Sequence, residues 1–285
     1  MLYRSFATQE QIDQEYNPRL RFKQTDLYLK QYLSESARIH KNLKHQNNIP
    51  YGPSLSETLD YYPSEKRDSP LLCFIHGGYW HSFSSRDFAF ISEAPHSKGF
   101  SVAHINYALC PQVTLDEIVR QCRAAIVWLY RHAKELCFNP ELIGVAGHSA
   151  GGHLTAMLLA TQWEKDYGLP SDLIRFAFPI SGLFDLHPFL FSWLQPKLQL
   201  NLEQVHRNSP LFLESPNPSR VRVIVGAEES KEFYRQSTEY SFHLQQQGFE
   251  VDCQSIFQKN HFNLLDDFLG EGGEVMELIS NSMNL

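Results

Sequence analysis

The chain has 285 residues, of which 42% are hydrophobic and 20% are charged, and its formal net charge is −7. This composition excludes disordered and fibrous proteins, and the acidic balance argues against nucleic acid as a partner. No apolar run approaches the roughly 20 residues of a membrane span, and the N-terminal MLYRSFATQEQ lacks the pattern of a secretory signal, so we expect a cytoplasmic protein without a membrane partner.

The first 50 residues are predicted to form a helical N-terminal segment, because residues 9–47 are polar with spaced apolar positions. The next stretch, NIPYGPSLSETLDYYPSEKRDSP, places turn residues around short Tyr and Leu clusters. It is compatible with early antiparallel strands.

From residue 71 onward, predicted strands and helices alternate. Short apolar runs predict strands at residues 71–76, 100–107, 141–147, 174–181, 221–226 and 249–257. A capping box of Thr114 and Glu117 predicts the start of one helix. Further helices are expected over residues 150–163, near residues 231–247 and close to the C-terminus.

The stretch 183–219 is irregular, aromatic and Pro-containing, and it is predicted to be a small cap or insert. Strands that alternate with helices predict an α/β protein whose mostly parallel central sheet carries helices on both faces. With no repeat or long linker, residues 1–285 are expected to form one domain.

Five cysteines are scattered along the chain without a CxxC pair, which suggests neither zinc nor a disulfide framework. Reduced thiols are the expected state. Because HExxH is absent and the histidines are dispersed, we expect no metal, and no cofactor is predicted.

The stretch Gly147-His148-Ser149-Ala150-Gly151 matches G-x-S-x-G between a predicted strand and a predicted helix. Only small residues fit two positions from a serine on so sharp a turn, and the dipole of the following helix favours developing negative charge. A tightly packed glycine turn and a phosphate loop are the alternatives, although G-x-G-x-x-G and G-x-x-x-x-G-K are both absent. We predict that Ser149 is a nucleophile.

The segment LLCFIHGGYW ends a predicted strand with a histidine, two glycines and two aromatic residues. A serine that attacks a carbonyl generates an oxyanion, which requires preformed N–H donors. Such donors come from the residue after the nucleophile, here Ala150, and from the loop after an earlier strand, where Gly77-Gly78-Tyr79 lies. Ordinary loop glycines are the alternative interpretation.

HGGYW followed by GHSAGGH resembles the kynurenine formamidase (arylformamidase) branch of the α/β-hydrolases, whose mark is H-G-G-x-W. The segments EYNPR, YGPSLSETLDYYP, SGLFDL and EFYRQS are also similar to that family, so the resemblance covers about residues 16–261. It implies the α/β-hydrolase fold, an oxyanion hole formed by the amides of Gly78, Tyr79 and Ala150, and packing of Trp80 in support of the loop.

In this fold the catalytic residues follow one another along the chain in the order serine, acid, histidine, so the general base is expected to be the last of the three. His261, in QKNHFNLL, follows the last predicted strand, and the resemblance points to the same residue. We predict that it is the base, with a surface histidine as the alternative. His148 and His153 lie too close to Ser149 in sequence to reach back to it, and His76 is expected to brace its loop by hydrogen bonding.

The acid is expected in the loop after strand VRVIVG, which reads AEESKEF. The resemblance aligns Glu229, three residues after Gly226, with the acid of the family, which is usually Asp. Glu228 and Asp185, the latter in SGLFDL, are the alternatives. Glutamate suffices chemically, because the task is to orient and charge-stabilise an imidazole.

A substrate pocket is predicted from aromatic side chains on loops after strand ends, namely Tyr79, Phe83, Phe184, His187 and Trp193, with core packing as the alternative for each. The resemblance implies a serine hydrolase that cleaves N-formyl-L-kynurenine, a small molecule, to kynurenine and formate, and it suggests a homodimer. A carboxylesterase of broader specificity and a non-catalytic binding protein of the same fold are the competing hypotheses.

Overall fold

The computed structural model describes residues 1–216 and 219–283. Residues 217–218 of the predicted insert and residues 284–285 of the predicted domain lie outside the described residues. Within the described ranges, no helix is long and apolar enough to cross a membrane.

Eight strands form one sheet. They are β1 (Gln46–Pro50), β2 (Thr58–Tyr62), β3 (Ser69–Ile75), β4 (Ser101–Ile105), β5 (Phe138–His148), β6 (Phe176–Ile180), β7 (Arg220–Gly226) and β8 (Glu250–Ile256). Their order in the sheet is β1-β2-β4-β3-β5-β6-β7-β8. The β1–β2 and β2–β4 pairs are antiparallel, and all other pairs are parallel. The predicted α/β-hydrolase fold with a mostly parallel sheet is confirmed.

Helices flank the sheet. They are α1 (Gln9–Tyr16), α2 (Pro18–Arg21), α3 (Thr25–Asn42), α4 (Glu93–Ser97), α5 (Leu115–Leu136), α6 (Ala150–Leu159), α7 (Trp163–Tyr167), α8 (Gln195–Leu198), α9 (Leu202–Arg207), α10 (Lys231–Gln246) and α11 (Glu274–Ser282). Short 3₁₀ segments occupy residues 85–92, 187–191, 210–212 and 263–268.

Two local predictions about helices need correction. The helix expected over residues 150–163 ends at Leu159, because the Thr161 hydroxyl bonds back to the Met157 carbonyl at 2.9 Å. The capping box of α5 is only half formed. The Thr114 hydroxyl oxygen accepts from the Glu117 N–H, but the Glu117 carboxylate binds Arg120 at 2.7 Å instead of the cap.

The two faces of the sheet carry separate hydrophobic clusters, as β3 illustrates. Leu71, Cys73 and Ile75 belong to one cluster, whereas Leu72 and Phe74 belong to the other, and all five are buried. A strand buried on both faces is apolar without alternation, which explains why its sequence reads as a continuous apolar run.

The N-terminal segment packs near the carboxyl ends of the parallel strands. It contains α1 to α3, but its last residues form the edge strand β1 rather than helix. The Tyr16 hydroxyl donates to the Glu232 carboxylate on α10 at 2.5 Å, and the Tyr32 hydroxyl donates to the Phe262 carbonyl after β8 at 2.6 Å. The stretch expected to be irregular, residues 183–216 as described, contains α8, α9 and two 3₁₀ turns.

Candidate active site

Ser149 lies at the sharp turn between β5 and α6, with φ 58° and ψ −117°. Residues with a side chain rarely adopt this backbone conformation, so the turn is strained. The Ser149 N–H donates to the Ile180 carbonyl of the neighbouring strand β6 at 2.8 Å. A Cβ on Gly151 would lie 1.9 Å from the Ile75 carbonyl oxygen, so α6 packs against β3 too closely for any other residue. The strand–turn–helix context expected for a nucleophile is present.

The HGGYW loop follows β3 and bends through three consecutive residues with positive φ: Gly78 at 107°, Tyr79 at 50° and Trp80 at 59°. A Cβ on Gly78 would lie 2.3 Å from the Ser82 carbonyl oxygen, so this position also requires glycine. Among the described residues, the N–H groups of Gly78, Tyr79 and Ala150 have no protein acceptor. These three predicted oxyanion-hole donors are therefore free to bind a negatively charged oxygen.

Trp80 joins the HGGYW loop to the GHSAGGH segment. Its buried indole N–H donates to Nδ1 of His153 at 3.2 Å, and His153 Nε2–H donates to the Asn208 carbonyl at 2.7 Å. Because an indole N–H can only donate, His153 carries its proton on Nε2. Burial lowers the pKa of His153 to about 4, which keeps the ring neutral. Trp80 thus holds the loop through a hydrogen bond as well as by packing.

Three further contacts hold the same loop. His76 Nδ1–H donates to the Gly77 carbonyl at 2.8 Å, and the His76 ring stacks on Tyr107 with centroids 4.2 Å apart. Burial lowers the pKa of His76 to about 4. The Tyr79 hydroxyl donates to the Tyr16 carbonyl, which ties the loop to the N-terminal segment.

His261 and Glu229 form a buried hydrogen-bonded pair, with Nδ1 of the imidazole 2.7 Å from Oε2 of the carboxylate. The other carboxylate oxygen accepts from the Gly226 N–H at 2.8 Å and from the Ser181 hydroxyl at 2.5 Å. Three donors therefore fix the carboxylate, which in turn fixes the ring. Ser181 was not identified from the sequence. Its position directly after β6, at the same edge of the sheet as the other site residues, could have indicated that it belongs to the site.

His148 supports His261 from the other side. Its Nε2–H donates to the His261 carbonyl at 2.8 Å, and the two rings lie 4.6 Å apart. Burial, followed by repulsion from His261, lowers the pKa of His148 well below its usual value, so the ring is neutral. Its contribution is to position the backbone of His261, in agreement with the argument that it is not the base.

The two alternative acids lie elsewhere. The side chain of Glu228 is exposed, and its backbone carbonyl accepts from Arg21 Nε at 3.1 Å. Asp185 is buried, but its carboxylate accepts from the Tyr3 hydroxyl at 2.6 Å and from His187 Nδ1 at 2.8 Å. In the described part of the chain, neither carboxylate is hydrogen-bonded to His261.

Ser149 and His261 line the same cavity, which has a volume of about 280 Å³. Between these two described residues the structure has no direct hydrogen bond. In unliganded enzymes this contact is often long, and it tightens only when substrate binds. Both side chains border the same space, so a carbonyl group bound in this cavity would have the hydroxyl of Ser149 and the imidazole of His261 on its walls.

Three of the five predicted pocket residues, Tyr79, Phe83 and Trp193, line this cavity. The other two, Phe184 and His187, are not among the described residues that line it. Phe184 is fully buried and stacks on Tyr240 of α10 with centroids 4.2 Å apart, and the ring of His187 is held by Asp185 away from the cavity.

The N-terminal segment lines the cavity as well, a contribution that sequence analysis did not predict. The lining residues not identified from the sequence include Asn17, Pro18, Arg19, Leu29, Tyr32, Phe88 and Phe262. Three of them, Asn17, Pro18 and Arg19, belong to the EYNPR segment. The resemblance of this segment to the family could have indicated that it contributes to the site. Apolar and aromatic walls with a few polar groups are typical of small-molecule sites.

Comparisons with known proteins point to one group of enzymes. The BD-FAE family matches residues 59–177. The kynurenine formamidase of Danio rerio is 33% identical over 242 residues, which are 81% of this chain and 80% of the fish protein. A probable carboxylic ester hydrolase of Mycobacterium tuberculosis is 25% identical over 55% of this chain and 41% of its own length. The crystal structure of a putative thioesterase from Silicibacter sp. TM1040 is 27% identical, with a TM-score of 0.83 over 94% of this chain and 98% of its own.

Proposed function

Since the chain belongs to the kynurenine formamidase family of α/β-hydrolases and is a hydrolase, we propose that it cleaves an aryl formamide, N-formyl-L-kynurenine, to L-kynurenine and formate. The proposed machinery is Ser149 as nucleophile, His261 as general base and Glu229 as the acid. The amides of Gly78, Tyr79 and Ala150 would form the oxyanion hole.

One observation carries this proposal. The His261 ring, hydrogen-bonded to Glu229 at 2.7 Å, lines the same cavity as the strained residue Ser149. Because Nδ1 carries the proton donated to the carboxylate, Nε2 has a free lone pair. A neutral imidazole in that tautomer can accept the serine proton.

The first half of the reaction forms a formyl-enzyme. His261 Nε2 takes the proton from Ser149 as the hydroxyl oxygen attacks the formyl carbon. The free N–H groups of Gly78, Tyr79 and Ala150 stabilise the tetrahedral oxyanion. As the C–N bond breaks, His261 donates the proton to the leaving aryl amine, and the buried Glu229 stabilises the imidazolium in the meantime.

The second half releases the acid. Water enters the site, loses a proton to His261 Nε2 and attacks the formyl ester of Ser149. The second tetrahedral intermediate uses the same amide donors, and its collapse returns the proton to the serine oxygen and liberates formate. The aromatic walls provided by Tyr79, Phe83 and Trp193 suit a planar leaving group.

Steady-state kinetics on N-formyl-L-kynurenine and on 4-nitrophenyl acetate test the proposal. We expect kcat/KM to be higher for the formamide, and we expect Ser149→Ala to abolish both activities without lowering the melting temperature. A kcat/KM for the formamide well below that for the ester would contradict the proposal.

That result would favour the second candidate, a carboxylesterase of broader specificity. The relationships to a carboxylic ester hydrolase and to a putative thioesterase support this alternative, because the same nucleophile and oxyanion donors serve amide and ester substrates. A non-catalytic binding protein of this fold would hydrolyse neither substrate, and its Ser149 would not react with a fluorophosphonate.

Two expectations from the sequence also stand as proposals. We propose that the enzyme acts in the cytoplasm and that it is a homodimer, as the family resemblance suggests. Light scattering coupled to size-exclusion chromatography tests the second of these. A molar mass of one chain at micromolar concentration would contradict it.

A further inference from the structure

The charges around the cavity differ from those of the protein as a whole. The chain carries a net charge of −7, yet no Asp or Glu is among the described residues that line the cavity. Arg19 is the one lining residue in the described chain with a permanent charge. An acidic protein thus presents a positive group to whatever enters this site.

The guanidinium of Arg19 is available to a ligand. Its closest carboxylate is that of Asp26, 3.9 Å away, and the two side chains are 59% and 84% exposed, so the pair is weak. No other described side chain or carbonyl accepts a hydrogen bond from the Arg19 guanidinium. Its planar fork of N–H donors matches a carboxylate well.

The backbone of Arg19, in contrast, is fixed. Asn17 caps the short helix α2, with its side-chain oxygen accepting from the Arg19 N–H at 3.1 Å, and Pro18 follows as the first helical residue. Both Asn17 and Pro18 line the cavity beside Arg19. The side chain therefore projects from an anchored position, and the only ion pair that the described residues offer it is the weak one with Asp26.

A second cation, Lys197, lies near His81, one of the residues that line the cavity. His81 lines the cavity, and its pKa is lowered by burial first, and then by repulsion from Lys197 and Arg19. Both cations are therefore close enough to His81 to affect its protonation. Lys197 is exposed, and no described carboxylate pairs with it. Arg19 and Lys197 thus place positive charge near His81 at this cavity.

We propose that Arg19 is an anion-binding subsite that selects substrates with a carboxylate on the arm of the leaving group. The inference rests on the proposed function, because N-formyl-L-kynurenine carries its α-carboxylate on the amine that departs. The subsite takes the class of aryl formamides, or aryl esters, whose leaving group ends in a carboxylate. A substrate that carries an ammonium and no carboxylate would find no carboxylate among the described lining residues and would be repelled by the positive charge of Arg19.

The test compares N-formyl-L-kynurenine with formanilide, a neutral aryl formamide, in the full-length protein. We expect Arg19→Gln to raise KM for the carboxylate substrate about tenfold with kcat nearly unchanged, since an interaction made equally in the ground and transition states affects KM alone. Kinetics on formanilide should not change, which also verifies that the variant is folded. Arg19→Lys should restore only part of the affinity, because it keeps the charge but loses the planar fork of N–H donors.

Lys23→Gln is the matched control, since it removes the same charge from an exposed residue, also in the N-terminal segment, that does not line the cavity. It should leave both substrates unaffected. In wild type, raising the salt concentration from about 0.05 to about 0.5 M should raise KM for the carboxylate substrate, and Arg19→Gln should lose this dependence. If Arg19→Gln changes kcat/KM for both substrates by the same factor, or for neither, the proposal is overturned.

The same comparison separates this inference from the proposed function. Two phenyl acetates, one with a carboxylate on the phenol arm and one without, report the charge preference even if no formamide is cleaved. An Arg19-dependent preference on these esters alone would support the subsite and contradict the formamidase proposal. Cleavage of N-formyl-L-kynurenine without any dependence on Arg19 would support the formamidase proposal and contradict the subsite.

Discussion

Replacing Glu229 by glutamine tests the proposed role of the acid, because this change removes the charge and keeps the shape. In the wild type, one carboxylate oxygen accepts from the Gly226 N–H and the Ser181 hydroxyl, and the other accepts from His261 Nδ1. A backbone N–H can only donate, so the amide oxygen of the glutamine must face Gly226. Its NH₂ group then faces His261.

The consequence is a change in the tautomer of His261. An NH₂ donor opposite Nδ1 requires that nitrogen to accept, which moves the ring proton to Nε2. A protonated Nε2 cannot take the proton of Ser149. The corresponding loss in a serine protease triad is about 10⁴-fold in kcat. We expect a loss of 10³- to 10⁴-fold here, which corresponds to roughly 4 to 5 kcal/mol of transition-state stabilisation.

The assay is kcat on an activated aryl ester, with the melting temperature measured in parallel. Glu228→Gln is the matched control, because it removes the same charge from the adjacent, exposed position. We expect Glu228→Gln to behave as wild type and Glu229→Gln to fold normally but to be nearly inactive. A Glu229→Gln enzyme within tenfold of wild type, or an equally impaired Glu228→Gln enzyme, would refute this reasoning.

Two further predictions follow from the hydrogen bonds around the site. A His153→Gln variant keeps an acceptor for Trp80 and a donor for the Asn208 carbonyl but no longer titrates. Burial lowers the pKa of His153 in the folded protein to about 4, so as the pH falls this histidine takes up a proton in the unfolded chain before it does so in the folded protein. The wild type therefore loses up to about 3 kcal/mol of stability from this group between about pH 6.5 and pH 4. Thermal unfolding should therefore depend less on pH in the variant over that range, and an unchanged dependence would contradict the assignment. Ser181→Ala removes one donor to Glu229 and should lower kcat about tenfold without changing KM, whereas unchanged steady-state kinetics would show that Ser181 does not position the acid.

The residues closest to the proposed chemistry could be predicted because parallel strands bring their carboxyl ends to one edge. Ser149 follows β5, Glu229 follows β7 and His261 follows β8, so their positions after predicted strands already placed them together. The position after β7 alone did not separate Glu228 from Glu229, and Glu229 was preferred only because the resemblance aligned it with the acid of the family. The side chains of these adjacent residues point in different directions. The orientation of Glu229 depends on its hydrogen bond with Ser181, which lies 48 residues away in the sequence.

The cavity walls were less predictable for the same physical reason. Phe184 and His187 follow a strand end as Phe83 does, but packing against α10 and a bond to Asp185 turn them away. The N-terminal segment reaches the site through tertiary contacts such as the bond from Tyr79 to Tyr16, which no local periodicity encodes. Arg19 became a candidate only when its place in the cavity was known.

The most direct test of the central claim is the site of covalent labelling by a fluorophosphonate, read by mass spectrometry of peptides from the intact protein. The account predicts a single stoichiometric adduct on the oxygen of Ser149, formed far more slowly in His261→Ala. Labelling at another residue, or an unmodified Ser149 in fully folded wild-type protein, would contradict it.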